Sequence, residues 1–506
     1  MTELMVDGLL QVFQLRNLAA VVAGTVLGMM VGALPGLTAT MGIALLVPLT
    51  FGMPADSGLI MLTAVYGAAV FGGSIPAILL HTPGTPAGAA TALDGYQMTL
   101  KGQGGRALGI SAVSSATGGM LSALALLLIA PPLATFSLRF GPSEFFWVTV
   151  FGLTIIASLA RGSILKGLIA GALGLLIGTI GIDPFTGQRR FTYGLPPLYD
   201  GVAIVPALIG LFSFSQAMIL AEERWKPQVR TFLRFTWREC IPSVREYLRL
   251  LPLILRSSGL GTFVGMLPGA GGDIASWVAY SEARRYSRKR DEFGTGIPEG
   301  VAAPEAANNA VTGGSLIPLL TLGIPGSAAA AVLLGGLLIQ GLIPGQRLFV
   351  DHGVITYAVI FSFFLANIIM MVLGLLGAGI FQRINQVPVA VLIALIVALS
   401  VIGSYALQNS LFDVWLLVIF GILGYAMRKL GFMPAALVLG MILAPIFERG
   451  LRQGLSISRG DISFFWASPI SKVLIALTIF ALVAPFLLER LAPQRYRKWE
   501  TSKTDD

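Results

Sequence analysis

Four polar side chains interrupt apolar segments in the second half of the chain: Asp273, Glu305, Asn308 and Asn309. Acids and amides are costly in an apolar environment, so each is a candidate for function. In a helix, Glu305 and Asn309 are one turn apart and share a face, which could offer oxygens to a sodium ion or hydrogen bonds to a substrate. We predict a binding site here, with a sodium site near Asp273, Asn308 and Asn309. The alternative for Glu305 is a helix cap or an ion pair with a nearby arginine.

A second group of candidates consists of hydroxyl side chains beside the Gly and Pro residues that break apolar helices. A hydroxyl in a membrane helix more often bonds its own backbone carbonyl, which is the structural alternative for each one. Their position at the breaks favours a role in binding. Two charged residues nearby, Asp94 and Lys101, are expected in an aqueous loop. The hydroxyl candidates are Thr38, Thr40, Ser74, Thr82 and Thr85.

The helix breaks occur twice along the chain, in the same order. Small-residue packing explains the isolated glycines, but it does not explain why helices are interrupted at matched positions in both halves. Gly28, Gly32 and Leu34-Pro35-Gly36 recur as Gly261, Gly265 and Leu267-Pro268-Gly269, a shift of 233. Gly72-Gly73-Ser74 recurs as Gly313-Gly314-Ser315 (shift 241), Pro83-Gly84-Thr85 as Pro325-Gly326-Ser327 (shift 242), and Gly104 and Arg106 as Gly345 and Arg347 (shift 241).

Matched helix breaks of this kind are typical of transporters that bind their substrate near the bilayer midplane. Unwound backbone presents amides and carbonyls there, and the N-termini of half-helices favour an anion. We therefore predict that the breaks line a binding site for a small anionic metabolite. The predicted backbone and hydroxyl positions are Pro35, Gly36, Gly72, Gly73, Gly84, Gly269, Gly271, Gly314, Ser315, Gly326 and Ser327.

The composition identifies the setting of these segments. Hydrophobic residues make up 55% of the 506 residues, charged residues 12%, and the mean hydropathy is +0.81. These values predict an all-α integral membrane protein, with roughly 12 to 14 transmembrane helices at about 20 apolar residues each. Several apolar pieces are shorter and are expected to be half-helices or re-entrant hairpins. An odd number of spans, about seven, precedes the central basic segment, which predicts two inverted repeats.

The charge distribution divides the chain into four segments. The net charge of +9 follows the positive-inside rule rather than indicating nucleic-acid binding. Cys240 falls in the basic linker and is expected to stay reduced. The N-terminus lacks the basic region of a cleavable signal peptide, so the first span is expected to remain. The predicted segments are a first repeat over 1–221, a basic cytoplasmic linker over 222–250, a second repeat over 251–450, and a C-terminal span and basic tail over 451–506.

Four long motifs make the chain resemble the large membrane subunit of the tripartite tricarboxylate transporter family, the TctA family. These motifs are Gly32-Ala-Leu-Pro-Gly-Leu-Thr38, Phe71-Gly-Gly-Ser-Ile-Pro-Ala-Ile-Leu-Leu-His-Thr-Pro-Gly-Thr-Pro86, Gly265-Met-Leu-Pro-Gly-Ala-Gly-Gly-Asp273 and Pro304-Glu-Ala-Ala-Asn-Asn309. The family's motif positions carry over to Pro35, Gly36, Thr38, Gly72, Gly73, Ser74, Gly84, Thr85, Gly269, Asp273, Asn308, Asn309, Gly314, Ser315 and Gly326.

The resemblance implies a secondary transporter of the bacterial inner membrane, driven by an ion gradient that is usually sodium. It also implies a small membrane subunit and a periplasmic solute-binding protein as partners, and di- or tricarboxylates such as citrate as substrates. No cofactor beyond the coupling ion is expected. An elevator-like movement of a repeat-built core against a scaffold is our hypothesis for the mechanism. Association of several copies of the chain is left open.

Two other classes of function compete with transport. Tyr199-Asp200 and Gly271-Gly272-Asp273 superficially resemble the paired aspartates of presenilin-like intramembrane proteases, in which two carboxylates activate water. However, Ala270 stands where that signature has glycine, and a protease gives no reason for duplicated halves. A channel would more often use charged rings or a filter shared between subunits. A membrane scaffold that transports nothing is the other alternative.

Overall fold

The protein is built almost entirely of helices. The computed structural model describes residues 2–34, 36–159, 163–223, 237–384 and 387–491. Its two short strands, Gly181–Ile182 and Arg189–Arg190, pair antiparallel. The chain divides into two compact units, the larger one containing residues 1–139 and 179–430, and the smaller one residues 140–178 and 431–506. The predicted division into a first repeat, a linker and a second repeat is a different division, and it stays a prediction.

The helices of the first half begin and end close to the Gly and Pro residues that the sequence places between apolar runs. Thr38, for example, caps the third helix by accepting a hydrogen bond from the Met41 amide. The helices are α1 Thr2–Val12, α2 Leu15–Ala33, α3 Ala39–Thr50, α4 Ala55–Gly72, α5 Ser74–Leu80, α6 Gly88–Leu100, α7 Gly104–Phe136, α8 Pro142–Leu159, α9 Ile164–Gly178, α10 Ile204–Leu208 and α11 Ser215–Glu223, with a π-helical segment Ile209–Phe214 that joins the last two.

The helices of the second half use similar caps. Ser243 and Ser327 accept hydrogen bonds from the Glu246 and Ala330 amides at two helix starts, and Gly323, with φ of +70°, ends another helix in a left-handed turn. The helices are α12 Val244–Met266, α13 Gly271–Tyr286, α14 Pro298–Leu322, α15 Ala328–Ile339, α16 Gln346–Val350, α17 Gly353–Ile384, α18 Val389–Gln408, α19 Leu411–Lys429, α20 Pro434–Ile457 and α21 Pro469–Leu491.

Helix length and hydropathy identify the segments that can cross a bilayer. Eight helical segments in the described part of the chain are long and apolar enough to span a membrane. Four shorter apolar helices, 39–50, 164–178, 328–339 and 469–483, accompany them. The protein is therefore an all-α, multi-pass integral membrane protein, as predicted. The number of crossings, the re-entrant hairpins and the orientation of the repeats stay predictions.

In the larger unit, α4 and α14 are the most enclosed helices. Every residue of α4 after Ala55 is buried, and so is every residue of α14 from Gly300 to Thr321. The α4 helix packs against α2, α3 and α17, whereas α14 packs against α7, α12 and α13. Both helices carry the Gly and polar residues of the duplicated motifs, so those residues lie in the protein interior. The smaller unit is formed by α8, α9, α20 and α21.

A buried carboxylate fixes the turn that precedes α14. Asp94 is fully buried within α6, and its oxygens accept hydrogen bonds from the amides of Gly294, Gly296 and Ile297 and from the Tyr280 hydroxyl. The expectation of an aqueous loop is therefore wrong for Asp94, because its neighbours in sequence gave no sign of these distant donors. Lys101 is exposed as expected, and its Nζ donates to the Thr295 carbonyl oxygen.

The basic linker is described only in part. Residues 224–236, which include Arg224, Lys226, Arg230 and Arg234, lie outside the described residues, as does the tail after residue 491. A short turn, Trp237–Cys240, follows, and α12 begins at Val244. The predicted boundary at residue 251 therefore falls inside a helix, because the amphipathic first turns of α12 carry the linker's last basic residues.

Candidate functional site

Glycines bring two pairs of helices into very close contact. A Cβ on Gly28 of α2 would lie 2.6 Å from the Val65 carbonyl oxygen of α4. A Cβ on Gly261 of α12 would collide with the Ala307 carbonyl oxygen of α14. Gly28 and Gly261 are 233 positions apart, whereas Val65 and Ala307 are 242 positions apart. Equivalent close contacts therefore occur in the two halves. Matching residues of α2 and α12 are separated by an offset of 233 positions, and matching residues of α4 and α14 by an offset of 242.

The same two offsets relate the glycines at the helix breaks. A Cβ on Gly72 would lie 2.6 Å from the Met29 carbonyl oxygen, and one on Gly314 would collide with the Thr262 carbonyl oxygen. Met29 and Thr262 are 233 positions apart, and Gly72 and Gly314 are 242 apart. The contacts thus pair Gly72 with Gly314. The sequence pairing of Gly72 with Gly313 is wrong by one residue, because it followed the letters Gly-Gly-Ser and not the contacts between helices.

The turns beside these breaks fold back onto the ends of α2 and α12. The Gly84 amide donates to the Gly73 carbonyl oxygen at 3.1 Å, and a Cβ on Gly84 would collide with the carbonyl oxygen of Gly32. In the second half, a Cβ on Gly326 would collide with the carbonyl oxygen of Gly265. Gly36 and Gly269 make equivalent left-handed turns after these helices, with φ of +83° and +76°, which glycine adopts without strain. Pro35 lies outside the described residues.

A tyrosine of the first half closes the break of the second half. The buried Tyr66 hydroxyl lies 2.7 Å from Ser327 Oγ and 2.9 Å from Ser315 Oγ. Ser315 Oγ donates to the Thr312 carbonyl oxygen, so the Tyr66 hydroxyl donates to Ser315 and accepts from Ser327. Ser327 Oγ also accepts a hydrogen bond from the Ala330 amide as the cap of α15. The three hydroxyls of Tyr66, Ser315 and Ser327 are therefore all hydrogen-bonded within the protein.

The equivalent position of the first half is not closed. The offset of 242 relates Tyr66 to Asn308 and Thr85 to Ser327, so the equivalent contact would join Asn308 to Thr85. Both side chains are buried, yet neither Asn308 Nδ2 nor Thr85 Oγ1 has a hydrogen-bond partner among the described residues. A buried polar atom without a partner costs about 1–3 kcal/mol, so such atoms call for an explanation. We refer to this place as the Thr85–Asn308 site.

Two helix N-termini lie beside the Thr85–Asn308 site. A Cβ on Gly272, in the first turn of α13, would collide with Asn308 Oδ1 and would lie 3.6 Å from Cβ of Ala87. Ala87 is the residue before α6. The first amides of a helix lack acceptors within the helix, and its N-terminus carries partial positive charge. In α6 two of these amides, Gly88 and Ala89, donate to the carbonyl oxygens of Thr85 and Pro86.

Asp273 is in the same first turn of α13, and it is half-buried. A carboxylate in this position is stabilised by the partial positive charge of the helix end. It also adds a negative charge close to Gly272 and therefore close to the Thr85–Asn308 site. The structure thus places the first turn of α13, with Gly271 and Asp273, beside Asn308 of α14.

Glu305 is held by hydroxyls from three other helices. Ser74 and Thr91 donate to its Oε1 at 2.6 and 2.5 Å, and Ser111 and Ser115 donate to its Oε2 at 2.7 and 2.9 Å. The carboxylate is fully buried. Among the described residues it forms no ion pair with an arginine, and it does not cap a helix, because it lies in the second turn of α14, surrounded by α5, α6 and α7. We call the four donors the hydroxyl cluster.

Asn308 and Asn309 contact different neighbours, although they are adjacent in α14. Asn309 Nδ2 donates to the Ser115 carbonyl oxygen and approaches Met370 Sδ, and its Oδ1 is buried without a hydrogen-bond partner among the described residues. As predicted, Asn309 and Glu305 share a helix face, since Ser115 contacts both. The Asn309 Oδ1 atom could act as an oxygen ligand for a cation. A sodium site that combines Asp273, Asn308 and Asn309 stays a prediction.

Several predicted hydroxyls serve the backbone or lie elsewhere. Thr38 caps α3, Thr40 is half-buried in the first turn of that helix, and Thr82 is exposed. Asp200 lines a cleft that does not include Asp273 among its lining residues.

Sequence reasoning missed the residues that complete these clusters. Tyr66 and Thr91 lie inside uniformly apolar or small-residue helices, and Ser111 and Ser115 resemble ordinary small residues of a packed membrane helix. Ser111 and Ser115 are one turn apart, as Glu305 and Asn309 are, and this matched spacing was the available signal. Asn367 on α17, with a buried Oδ1 that has no partner in the described part of the chain, was also missed.

Comparisons with known proteins show which family the chain belongs to, and the match covers most of its length. Residues 18–439 match the family model described as the Tripartite tricarboxylate transporter TctA family. The chain is 38% identical over 473 residues to the Agrobacterium vitis protein named Uncharacterized 52.8 kDa protein in TAR-I ttuC' 3'region, and the match covers 93% of each chain.

A second Agrobacterium vitis protein, named Uncharacterized protein in TAR-II ttuC' 3'region, is 37% identical over 227 residues, which is 45% of this chain and 94% of the relative. No solved structure matches the chain. The helix breaks, the hydroxyl cluster and the Thr85–Asn308 site all lie within the residues that the family model matches. The chain belongs to the tripartite tricarboxylate transporter TctA family.

Proposed function

We propose that this chain is the permease subunit that imports a small di- or tricarboxylate of the citrate type across the bacterial inner membrane. The import is coupled to a cation gradient, with sodium as the coupling ion. A small membrane subunit and a periplasmic solute-binding protein complete the transporter, and the binding protein contributes much of the substrate selectivity. An elevator-like movement of the core that carries the duplicated breaks provides alternating access.

The observation that carries this proposal is the pair of unsatisfied atoms at the Thr85–Asn308 site. Asn308 Nδ2 is a donor, and the Thr85 hydroxyl can donate as well. Both are buried without a partner in the described residues. The equivalent atoms, the Tyr66 hydroxyl and Ser327 Oγ, are hydrogen-bonded to each other. Two buried donors without an acceptor, at positions equivalent to a hydrogen-bonded pair, fit a carboxylate group, which accepts hydrogen bonds at both oxygens.

The N-terminus of α13 supplies the electrostatic part of the site. Gly272 contacts Asn308, so a carboxylate bound to Asn308 lies next to the first turn of α13. Helix N-termini bind anions through their amides and their dipole. This supplies recognition of an anion inside the membrane protein without an arginine at the site.

Asp273 gives a physical reason for coupling to a cation. A substrate carboxylate beside the first turn of α13 is close to the Asp273 side chain, and two negative charges at short range repel each other. A sodium ion bound between them removes this repulsion, so that cation and substrate bind together better than either binds alone. The Asn309 Oδ1 atom is a further oxygen available in the same part of α14.

Uptake by a reconstituted transporter tests the proposal. Proteoliposomes would contain this chain, its small membrane partner and the binding protein, and uptake of labelled di- and tricarboxylates would be measured with and without a sodium gradient. We expect saturable uptake that requires the gradient. The Thr85→Val and Asn308→Ala variants should each reduce it about tenfold or more, as the loss of one hydrogen bond to a charged group predicts.

Thr262→Val is the matched control. Thr262 has the same 7% exposure as Thr85, but its hydroxyl donates to the Ser258 carbonyl oxygen of its own helix. Uptake by this variant should stay within about twofold of the unmodified protein. Equal losses in Thr85→Val and Thr262→Val would contradict the proposed site, and the absence of any gradient-dependent carboxylate uptake would contradict the proposed function.

A further inference from the structure

One buried carboxylate differs from all the others in the described part of the chain. Six Asp and Glu side chains are buried there, and five of them accept hydrogen bonds from protein donors: Asp56, Asp94, Glu144, Asp183 and Glu305. The sixth, Asp413, is 3% exposed, and its Oδ2 has no hydrogen-bond partner among the described residues. A carboxylate buried in this way must either take up a proton or be compensated by a positive charge.

The position of Asp413 in its helix does not supply that compensation. Asp413 lies in the first turn of α19, where the helix dipole favours a negative charge only weakly. This effect is smaller than the cost of burying an unpaired ion. The cap of α19 is already provided by Ser410, which accepts a hydrogen bond from the Phe412 amide.

Asp413 lines a cleft of about 380 Å3 in the larger unit. Its other polar side chains are Asp200 and Gln408, both exposed, so they lie nearer the solvent than Asp413 does. The remaining walls are largely apolar and include Phe51, Val205 and Leu338. We call this place the Asp413 cleft. It combines a buried carboxylate, a more exposed carboxylate and amide, and an apolar lining.

We propose that the Asp413 cleft binds a primary alkylammonium group, which donates hydrogen bonds to the Asp413 carboxylate. The ammonium supplies the missing positive charge and up to three donors. The alkyl chain packs against the apolar walls, and Asp200 adds negative potential nearer the solvent. This site is separate from the Thr85–Asn308 site and does not rest on the proposed transport.

A metal ion fits the Asp413 cleft less well. Calcium takes six to eight oxygen ligands, and magnesium requires near-octahedral oxygen geometry. The cleft offers only three polar side chains, and no cluster of three or more His, Cys, Asp or Glu side chains that could hold a metal occurs in the described part of the chain.

The cleft opens at a membrane surface, so the ammonium group that it binds can come from two sources. Asp413 is at the start of α19, whereas Arg428 and Lys429 are at its other end. By the positive-inside rule the cleft therefore opens at the membrane surface opposite the basic segments. An ammonium group can reach it there either as a free amine in solution or as the headgroup of an ethanolamine lipid.

Equilibrium dialysis of labelled butylammonium against the purified full chain tests the proposal, with choline chloride holding the ionic strength constant and sodium absent unless it is added. We expect saturable binding of one equivalent. Asp413→Asn should weaken it at least tenfold, and so should Ala203→Phe, which fills the cleft and keeps the carboxylate. Asp291→Asn removes an exposed carboxylate that does not line the cleft, and it should leave binding unchanged.

The remaining outcomes separate the sources and the rival explanations. Weaker butylammonium binding in nanodiscs of ethanolamine lipid than in nanodiscs of choline lipid assigns the site to a lipid headgroup, and equal binding assigns it to a free amine. Tetramethylammonium, which donates no hydrogen bonds, should compete poorly. Binding that does not saturate, that survives both Asp413→Asn and Ala203→Phe, or that equimolar sodium abolishes would overturn the proposal.

Discussion

The Tyr66 hydroxyl lies 2.7 Å from Ser327 Oγ, and this hydrogen bond joins residues from the two duplicated halves of the chain. Asn308 and Thr85 occupy the equivalent positions on the other side, but they do not satisfy each other. Tyr66 and Ser327 thus satisfy each other's hydrogen-bonding atoms, whereas Thr85 and Asn308 each present a buried atom without a partner in the described residues. The two places have equivalent backbone settings, so substitutions at them can be compared directly.

Removing the Thr85 hydroxyl should stabilise the protein in the absence of substrate. Thr85→Val replaces a buried hydroxyl without a partner by an isosteric methyl group, which removes a desolvation cost of about 1–3 kcal/mol. We expect a higher midpoint of thermal unfolding in detergent together with reduced carboxylate uptake. A lower midpoint would show that the hydroxyl is satisfied in the folded protein, and it would argue against an open binding position.

The equivalent change on the closed side should have the opposite effect on stability. Tyr66→Phe removes the central hydroxyl of the Ser327–Tyr66–Ser315 chain and leaves the buried Ser327 hydroxyl without an acceptor. The expected loss is about 1–3 kcal/mol, seen as a lower unfolding midpoint. If Tyr66→Phe and Thr85→Val shifted the midpoint in the same direction, the contrast between the two sides would be wrong.

The sequence predicted the membrane class and the motifs that surround the site, but not which atoms meet. The Gly-Gly-Ser and Pro-Gly blocks could be found because close contact between two backbones requires glycine, as at Gly28 and Gly72. The partners of those glycines are backbone carbonyl oxygens, which every residue has, so the sequence does not show which residue each glycine contacts. The sequence alignment of the two halves was therefore wrong by one residue at Gly72.

Side-chain networks were harder to predict for a related reason. The donors to Glu305 come from α5, α6 and α7, and a serine such as Ser111 has the same sequence context whether it bonds a carboxylate or its own helix. The donors to Asp94 are mostly backbone amides, which no residue type reveals. Long-range pairs of this kind are fixed by the tertiary packing of helices and not by local pattern.

The hydroxyl cluster should contribute more to stability than hydroxyls that bond their own helix. Ser111→Ala and Ser115→Ala each remove a hydroxyl bonded to the buried Glu305 side chain, and a buried polar atom left without a partner costs about 1–3 kcal/mol. Ser258→Ala is the control, because the fully buried Ser258 hydroxyl donates to the Ile254 carbonyl oxygen of the same helix. Its unfolding midpoint should change little. Equal shifts for all three variants would mean that the hydroxyls bonded to Glu305 contribute no more than a hydroxyl bonded to its own helix.

Asp94 should protect the turn before α14 from proteolysis. Its carboxylate accepts hydrogen bonds from the Gly294, Gly296 and Ile297 amides, and the burial of Tyr280 next to Asp94 raises the pKa of the Tyr280 hydroxyl, which stays a donor. Asp94→Asn keeps the shape but places an amide group against these donors. We expect faster tryptic cleavage in the basic segment 288–290. Asp351→Asn, an exposed carboxylate outside the cleaved segment, should leave the cleavage rate unchanged; a similar acceleration in both variants would exclude a specific role for Asp94.

Cys240 should resist alkylation in the folded protein at neutral pH. Burial, and secondarily the nearby Glu239 carboxylate, raise the pKa of its thiol from 9.0 to about 11, and the side chain is fully buried. The thiolate is the reactive form, so a rise of two pKa units lowers its population about a hundredfold at pH 7. The native protein should therefore react with iodoacetamide at least a hundredfold more slowly than the protein unfolded in detergent, and the native rate should rise with pH up to about 11.

The raised pKa of the Cys240 thiol also means that unfolding releases a proton more readily above pH 9, so native stability should fall between pH 9 and 11. Rapid labelling of native protein at pH 7 would contradict the burial of Cys240, whereas slow labelling would allow a cysteine introduced at the exposed Tyr193 to be modified selectively without removing Cys240.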